Sequence, residues 1–368
     1  MVILSSFEDN FTIPEFYECF LQKRSEALAV NVKTTLELIK IDDNYLPLTI
    51  NDTEWGNSYV VSPYGIIPYV EEEMKRHRFV FLKWIFWPIL AVIKKILKAC
   101  EVNRVVMINN HLLSTNLYPK ISRPEVKKIH NYILEKYPDH TLIFRSLNRC
   151  LEGRLMKNLK ELEYDFITNR SIYLFSYDEI KDKGIIRRRI KRDGALFKKN
   201  GTEIISHDEF SESDALEIKK LYDLLYLEKY SYQNPQFTEE FFRLAITKKT
   251  FHLTGISHQG KLVGVIGSFK RKGVITFPIV GYDMTYPQSF GLYRMLSYLM
   301  LEEAKKGNLR LHMSSGVGEF KRGRGGVQEI ESMAVYVSHL PFYRRLPWKV
   351  FSVLLNSFGE KIVLRHKL

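Results

Sequence analysis

The stretch YDMTYPQSFGLYRMLSYLMLEEA, residues 282–304, decides the fold of the C-terminal half. It leads from a β-rich run through a polar turn into a segment with helical apolar spacing. Backbone N–H groups at a helix N-terminus attract anions, and Gly291 lets a ligand approach the backbone closely. The stretch therefore predicts a strand–turn–helix unit that binds a phosphate group, with an ordinary glycine-capped turn as the alternative.

The residues around this stretch predict a consistent α/β order. Two helices precede three strands joined by glycine-containing turns, and a helix crossover then leads to one more strand. Pro278 lacks a backbone N–H, so we expect a bulge or a splayed strand at that position. The predicted helices cover 211–229, 238–247 and 291–306, and the predicted strands cover 251–257, 261–270, 274–284 and 309–315.

The N-terminal half shows a fainter version of the same order. A strand, a loop, a helix and a second strand follow one another between residues 105 and 147, and a further helix and strand reach residue 176. The order predicts an α/β fold with a mixed sheet and two similar lobes. We place the lobes at 1–185 and 186–368, with the charged segment 177–194 as the boundary or connecting stretch.

A second informative stretch is HMSSGVGEFKRGRGGVQEIESMAVY, residues 312–336. Its glycines lie among Lys321, Arg322 and Arg324, a composition typical of a loop that surrounds phosphates, although a solvated loop is the alternative. Glu319 lies inside this cluster, and a carboxylate beside cations stays ionised. It could act as a base toward an amine or could only pair with a neighbouring cation.

The most apolar segment, residues 79–100, contains Lys83 and is flanked by further lysines and arginines. Its longest uncharged run is too short to span a bilayer. A buried helix, or a helix pair broken at Pro88, is one interpretation. The other is an element that lies on a membrane surface, since tryptophans with flanking lysines suit that position.

The chain has 368 residues and a formal net charge of +13, which predicts an anionic partner. A nucleic acid, a membrane surface and a phosphorylated ligand all fit that charge. The basic clusters are scattered, with no zinc finger or helix-turn-helix motif, which argues against nucleic acid. Three distant cysteines and the lack of a signal-like N-terminus predict a cytoplasmic protein. No metal-ligand motif and no histidine-based transferase motif is present, so we expect no metal.

Residues 205–345 resemble the GNAT superfamily of N-acetyltransferases, and most closely its branch with two tandem lobes. That branch includes Fem-type peptidoglycan-bridge transferases and related N-acyltransferases. The resemblance rests on QSFGLYRML (288–296) and SSGVGEFKRGRGG (314–326), followed by ESMAVY (331–336). Over residues 1–185 it is architectural only.

The resemblance implies which residues hold an acyl donor. Gln288 and Gly291 match the first marks of the turn that binds the donor pyrophosphate, whereas Tyr293 replaces the last glycine or alanine. That departure leaves room for an acyl carrier protein or aminoacyl-tRNA as donor. The family's general acid is a tyrosine after the fifth strand, which implies Tyr343 or Tyr336. The donor-binding residues expected here are Gln288, Ser289, Gly291, Leu292, Ser315, Gly316, Lys321, Arg322 and Arg324.

The leading functional hypothesis is an N-acyltransferase that moves an acyl group from acyl-CoA or an acyl carrier protein to an amine. A medium or long acyl chain would find shelter along residues 84–93. One alternative is an aminoacyl-tRNA-dependent transferase of the Fem type, although no sustained heptad pair predicts its coiled-coil arm. The other is a non-catalytic membrane or nucleic-acid binder on the same fold. We also expect a peptide or small-molecule amine as acceptor and peripheral membrane contact through residues 79–100.

Overall fold

The computed structural model describes residues 2–3, 21–41, 44–76, 80–248 and 250–359. All strands in these ranges belong to one mixed sheet of 12 strands. The strands are β1 Val2–Ile3, β2 Thr35–Ile41, β3 Asn44–Asn51, β4 Val105–Ile108, β5 Thr141–Asn148, β6 Asp165–Phe175, β7 Thr202–Ile205, β8 His252–His258, β9 Lys261–Arg271, β10 Val274–Tyr282, β11 Arg310–His312 and β12 Val327–Tyr336.

Helices cover both faces of the sheet, as a mixed α/β sheet requires. Short 3-10 turns also occur, and a π-helix, Leu224–Tyr230, extends the seventh helix. The helices are α1 Ser25–Leu28, α2 Ile66–Arg76, α3 Val80–Ala99, α4 Arg123–Lys136, α5 Arg149–Glu161, α6 Gly184–Asn200, α7 Ala215–Asp223, α8 Glu239–Thr247, α9 Leu292–Lys306, α10 Gly318–Arg322 and α11 Phe342–Leu354.

Two lobes repeat one order of elements. In the first, β2, β3 and β4 are antiparallel neighbours, and α4 crosses over to β5, which is parallel to β4. In the second, β8, β9 and β10 are antiparallel neighbours, and α9 crosses over to β11, which is parallel to β10. The predicted fold class of two similar lobes in an α/β protein is therefore confirmed.

The lobes exchange their last strands. The sheet order is β1-β2-β3-β4-β5-β12-β6-β11-β10-β9-β8-β7. Thus β12 from the second lobe lies between β5 and β6, and β6 from the first lobe lies between β11 and β12. Each lobe thereby completes the sheet of the other, while the boundary at residues 185 and 186 stays a prediction.

Two helical segments differ from the sequence-based expectation. Residues 184–194, expected in a connecting stretch, form the first part of α6. Pro88 does not divide the apolar segment, because it lies inside the single helix α3; residue 79 lies outside the described residues. None of the helices in the described part of the chain combines the length and apolarity that a bilayer crossing requires.

Candidate functional site

Strands β10 and β11 separate inside the second lobe. Their parallel pairing begins at Val274 and Arg310 and ends at Thr276 and His312. Pro278 lies at the point where the register of β10 against β9 shifts, because it has no N–H to give to a neighbour. Beyond it β10 continues along β9 while β11 has ended, so a wedge opens between the two parallel strands.

A cavity of about 230 Å³ lies at this wedge, and we call it the junction cavity. Side chains of both lobes line it, and they include hydrogen-bond donors, hydroxyl groups and basic groups. The polar residues of the wall include Tyr59, Ser114, Arg170, Tyr226, Asn234, Tyr293, His312, Ser314, Ser315 and Lys321. Residues 87–93 are not among its lining residues and the side chains of 84–86 are not described, so the expected shelter for an acyl chain along 84–93 stays a prediction.

The N-terminus of α9 opens on a second cavity, of about 600 Å³, which we call the α9 cavity. Gly291 starts the helix with a φ of 81°, a left-handed conformation that favours glycine. Among the described side chains none caps this end. The first N–H groups of α9 are therefore available to an anion.

The corresponding helix of the first lobe is closed to such a ligand. At the start of α4 the Ser122 side chain accepts from the Glu125 N–H, and the Glu125 side chain accepts from the Ser122 N–H. The space after β4 is also filled, because residues 109–121 are almost entirely buried. Only the second lobe of the described chain thus combines an open wedge with an uncapped crossover helix.

The junction cavity and the α9 cavity share part of their walls. Tyr293 and Val317 line both of them. Phe320 packs against Tyr293, with ring centroids 4.9 Å apart, and also lines an open groove beside α6. The two cavities are therefore adjacent, with Tyr293 and Val317 contributing to the walls of both.

The predicted phosphate-binding cations shape the loop that carries them. Lys321 is buried, and its Nζ donates to the carbonyl oxygens of Met313 (2.6 Å), Ser314 (3.3 Å) and Ser315 (2.7 Å). Burial lowers the pKa of Lys321 to about 7. It lines the junction cavity and not the α9 cavity, which differs from the predicted contact with pyrophosphate.

Arg322 and Arg324 also have partners within the chain. Arg322 Nη1 donates to the Tyr173 hydroxyl at 2.9 Å. Arg324 is buried, stacks on the Phe320 ring at 3.4 Å, and donates from Nε to Asp193 at 2.5 Å. The two arginines thus hold the glycine-rich loop against β6 and α6.

Asp193 connects that loop to the α9 cavity. Its second oxygen accepts from Nε of Arg294 at 2.7 Å, so one buried carboxylate holds two arginines. The side chain of Arg294 is 40% exposed and lines the α9 cavity. Arg294 is thus a positioned cation beside the free end of α9.

A buried charge cluster forms one wall of the junction cavity. Arg170 donates from Nε to Glu331 at 2.8 Å and from Nη2 to the Ser114 carbonyl at 2.8 Å. Nε2 of His312 lies 3.8 Å from Glu331. Since Nδ1 of His312 accepts the Ser314 N–H at 3.1 Å, Nε2 carries the proton of the neutral ring.

Within the described residues this Nε2 has no hydrogen-bond partner, although it is buried. Buried donors are normally satisfied, so an unpaired one beside a cavity indicates a ligand or a water. Burial lowers the pKa of His312 to about 4, and the imidazole is therefore neutral near pH 7. It can donate one hydrogen bond there without carrying charge.

The stability of the protein should fall in acid because of His312. The unfolded chain binds a proton at this residue below about pH 6.5, whereas the folded protein binds it only near pH 4. Between about pH 6.5 and about pH 4 we therefore expect the titration of His312 to lower the free energy of unfolding by about 3 kcal/mol. Urea unfolding of wild type and His312→Asn from about pH 7 to about pH 4 measures the difference. Asparagine can still accept the Ser314 N–H, so parallel pH profiles would contradict the assignment.

The structure does not bring the other predicted catalytic residues to the junction cavity. Tyr336 packs against His130 and Tyr164 in the first lobe, roughly 17 Å along β12 from Glu331. Tyr343 is exposed at the start of α11. Glu319 is exposed and lines the groove beside α6. None of the three lies where β10 and β11 separate.

The predicted donor-binding residues divide between the cavities. Gln288, Gly291 and Leu292 line the α9 cavity, and Ser315 and Gly316 line the junction cavity. Ser289 lies in the exposed turn before α9. The sequence analysis therefore named residues of both cavities but did not separate the two.

Sequence reasoning missed Arg170, Glu331 and Asp193. A signal existed for Arg170, which is the only basic residue of β6, whereas β12 contains Glu329 as well as Glu331. Tyr293 was noted only as a departure from a motif. Burial raises its pKa and that of Tyr226, so both phenols keep their protons.

Comparisons with known proteins agree with this geometry. Residues 186–322 match the family model described as Acetyltransferase (GNAT) domain. No curated protein matches the chain.

Two solved structures are similar to this chain at low sequence identity. L-PGS from Bacillus licheniformis is 16% identical, with 62% of this chain and 75% of that chain covered and a TM-score of 0.45. FemX is 8% identical, with 63% of this chain and 80% of that chain covered and a TM-score of 0.47. Scores of this size carry no inference about activity. The family match thus covers the part of the second lobe that contains the crossover helix α9 and the open wedge, within a sheet that two lobes share.

Proposed function

We propose that the protein is an N-acyltransferase that uses an acyl thioester of phosphopantetheine, as coenzyme A or on a carrier protein. The observation that carries the proposal is the uncapped N-terminus of α9, which opens on a cavity adjacent to the wedge between β10 and β11. The helix end suits the phosphates of such a donor. The wedge suits the narrow pantetheine arm, whose amides can pair with the separated strand edges.

The junction cavity supports direct transfer. An amine entering beside Tyr59 and Ser114 would reach a thioester in the wedge. Its nitrogen forms the new amide bond, the carbon–sulfur bond breaks, and the thiolate leaves. The Nε2–H of His312 is the side-chain donor available to the carbonyl oxygen. Tyr226 or Tyr293, as a protonated phenol, can give the thiolate its proton, and the proton that the attacking nitrogen loses restores the phenol.

The α9 cavity gives a test that does not require the amine. Arg294→Gln removes a cation from this cavity while Arg324 still pairs with Asp193. We expect the Kd of coenzyme A to rise about 10- to 100-fold, because a charged hydrogen bond to phosphate is lost. Isothermal titration calorimetry measures it.

Arg243→Gln is the matched control. Arg243 is also 40% exposed, lies on a helix, and pairs with the carboxylates of Glu239 and Glu240. We expect no change in the Kd of coenzyme A for this variant. Equal effects of the two substitutions would show that α9 does not hold the donor.

The donor class is resolved by thiol release from an acyl-CoA series and from acyl carrier protein, each with a panel of amines. Release from either supports the proposal. Acyl transfer from aminoacyl-tRNA alone, with no binding of coenzyme A or carrier protein, would contradict it.

A further inference from the structure

Helices α3 and α11 lie beside each other on one face of the sheet. Nη1 of Arg344, on α11, is 3.4 Å from the carboxylate of Glu101, which follows α3. The inward sides of the two helices contribute Leu90, Leu97 and Trp348 to one buried apolar cluster. Both helices are therefore fixed to the body of the protein by their inner faces.

The outward faces of the same helices are apolar as well. On α3, Val92 and Ile96 are 56% and 51% exposed. On α11, Leu346 and Val353 are 45% and 65% exposed, and Phe342 is 65% exposed. The spacings of four and seven residues place each set on one stripe of its helix. We call these five residues the outward patch.

A surface helix normally carries polar residues on its outer face, and a helix that is apolar all round is normally buried. The outward patch has no cover among the described residues, since each of its members is exposed. Contiguous exposed apolar surface of this kind marks a binding surface.

The charged residues on the two helices themselves are all basic. The sequence contains no Asp or Glu between residues 74 and 100, or between residues 337 and 359. Lys95 and Lys349 are exposed on the two helices. Lys94 is not part of this set, because it pairs with Glu71 on α2. Helices with an apolar outer face and only basic charged residues of their own are complementary to an anionic lipid surface.

We propose that the outward patch docks the protein on an anionic membrane, with α3 and α11 lying flat in the headgroup region. A flat position follows from the fold, because the inner face of each helix is bound to the sheet. Valine, isoleucine, leucine and phenylalanine enter the boundary of the acyl chains, and the lysines contact lipid phosphates. This docking does not depend on the acyl transfer proposed above.

The test is co-sedimentation with vesicles of phosphatidylcholine, with or without about 30% phosphatidylglycerol. We expect the wild type to pellet with the anionic vesicles and far less with the neutral ones. The variant Val92→Ser, Ile96→Ser, Leu346→Ser, Val353→Ser should bind at least about tenfold more weakly, since binding scales with buried apolar area. Lys95→Gln with Lys349→Gln should weaken binding to anionic vesicles only.

The matched control is Ile185→Ser, Ile204→Ser, Leu216→Ser, Val327→Ser. These residues are 64%, 51%, 47% and 46% exposed but lie on other elements. The control should bind vesicles as the wild type does. Thermal unfolding verifies that both quadruple variants are folded.

Three outcomes would overturn the proposal. One is a wild type that pellets with neither kind of vesicle. Another is equal weakening in the patch and control variants. The third is a wild-type dimer that ignores vesicles and that the patch substitutions convert to a monomer, because the patch would then bind a second copy of the chain.

Discussion

We expect the fragment of residues 1–185 to show no cooperative unfolding transition and to aggregate. It contains β5 and β6 but lacks β12, which pairs with both of them in the folded protein. All eight residues of β5 are buried. Without β12 the fragment exposes two apolar strands with unpaired edges, a known cause of aggregation. Circular dichroism during urea titration and light scattering measure the effect.

A cleaved full-length chain is the control for this experiment. A protease site placed at the exposed residues 181–183 breaks the same connection but keeps every strand. We expect the cleaved protein to remain one folded complex with a single cooperative transition. A fragment 1–185 that unfolds cooperatively by itself would show that β12 is not required by the first lobe.

Replacing Arg170 with methionine should destabilise the protein by about 3–5 kcal/mol. The side chains of Arg170 and Glu331 are 19% and 1% exposed, and Arg170 provides the charged hydrogen bonds of Glu331. The substitution leaves a carboxylate buried without its cation, and removes the contact with the Ser114 carbonyl. Urea denaturation measures the loss.

An exposed ion pair with the same contact gives the control. Nε of Arg123 lies 2.8 Å from Glu161, the distance also found for Arg170 and Glu331, but the exposures are 75% and 37%. Arg123→Met should therefore cost less than about 1 kcal/mol. The double variant Arg170→Met, Glu331→Met should recover most of the loss, because no charge is left buried. Equal losses for Arg170→Met and Arg123→Met would refute the role of burial.

The second lobe could be predicted from local pattern. Glycine-containing turns set the hairpins of β8, β9 and β10, and each strand pairs with its neighbour in the chain. The bulge at Pro278 followed from its missing N–H. Short-range pairing of this kind is encoded in turn residues and alternating side chains.

Other features could not be predicted in this way. The exchange of β6 and β12 pairs residues far apart in the chain, and no local pattern specifies such a partner. The charged run at 184–194 suggested a linker, yet Ile190 and Asp193 bury one side of α6. A few buried positions were enough to make that run a helix.

In the candidate site, too, some features could be predicted from the local sequence and others could not. The start of α9 could be predicted because Gly291 and the polar turn are adjacent in the sequence. The roles of the loop cations were not, since Lys321 and Arg324 find partners only after the loop folds. Charge alone cannot distinguish a cation that awaits a ligand from one that holds a loop.

The sequence by itself determined the α/β class, the crossover at α9 and the turn at Gly291 that starts this helix. These depend on neighbours in the chain and on the 2.0 and 3.6 residue periods. Only the tertiary structure decided that the two lobes share one sheet and that Arg170, Glu331 and His312 meet at its junction cavity. It also decided that α3 and α11 expose apolar faces side by side. Those features arise from contacts between distant segments, whose free energy is gained only when the whole chain packs.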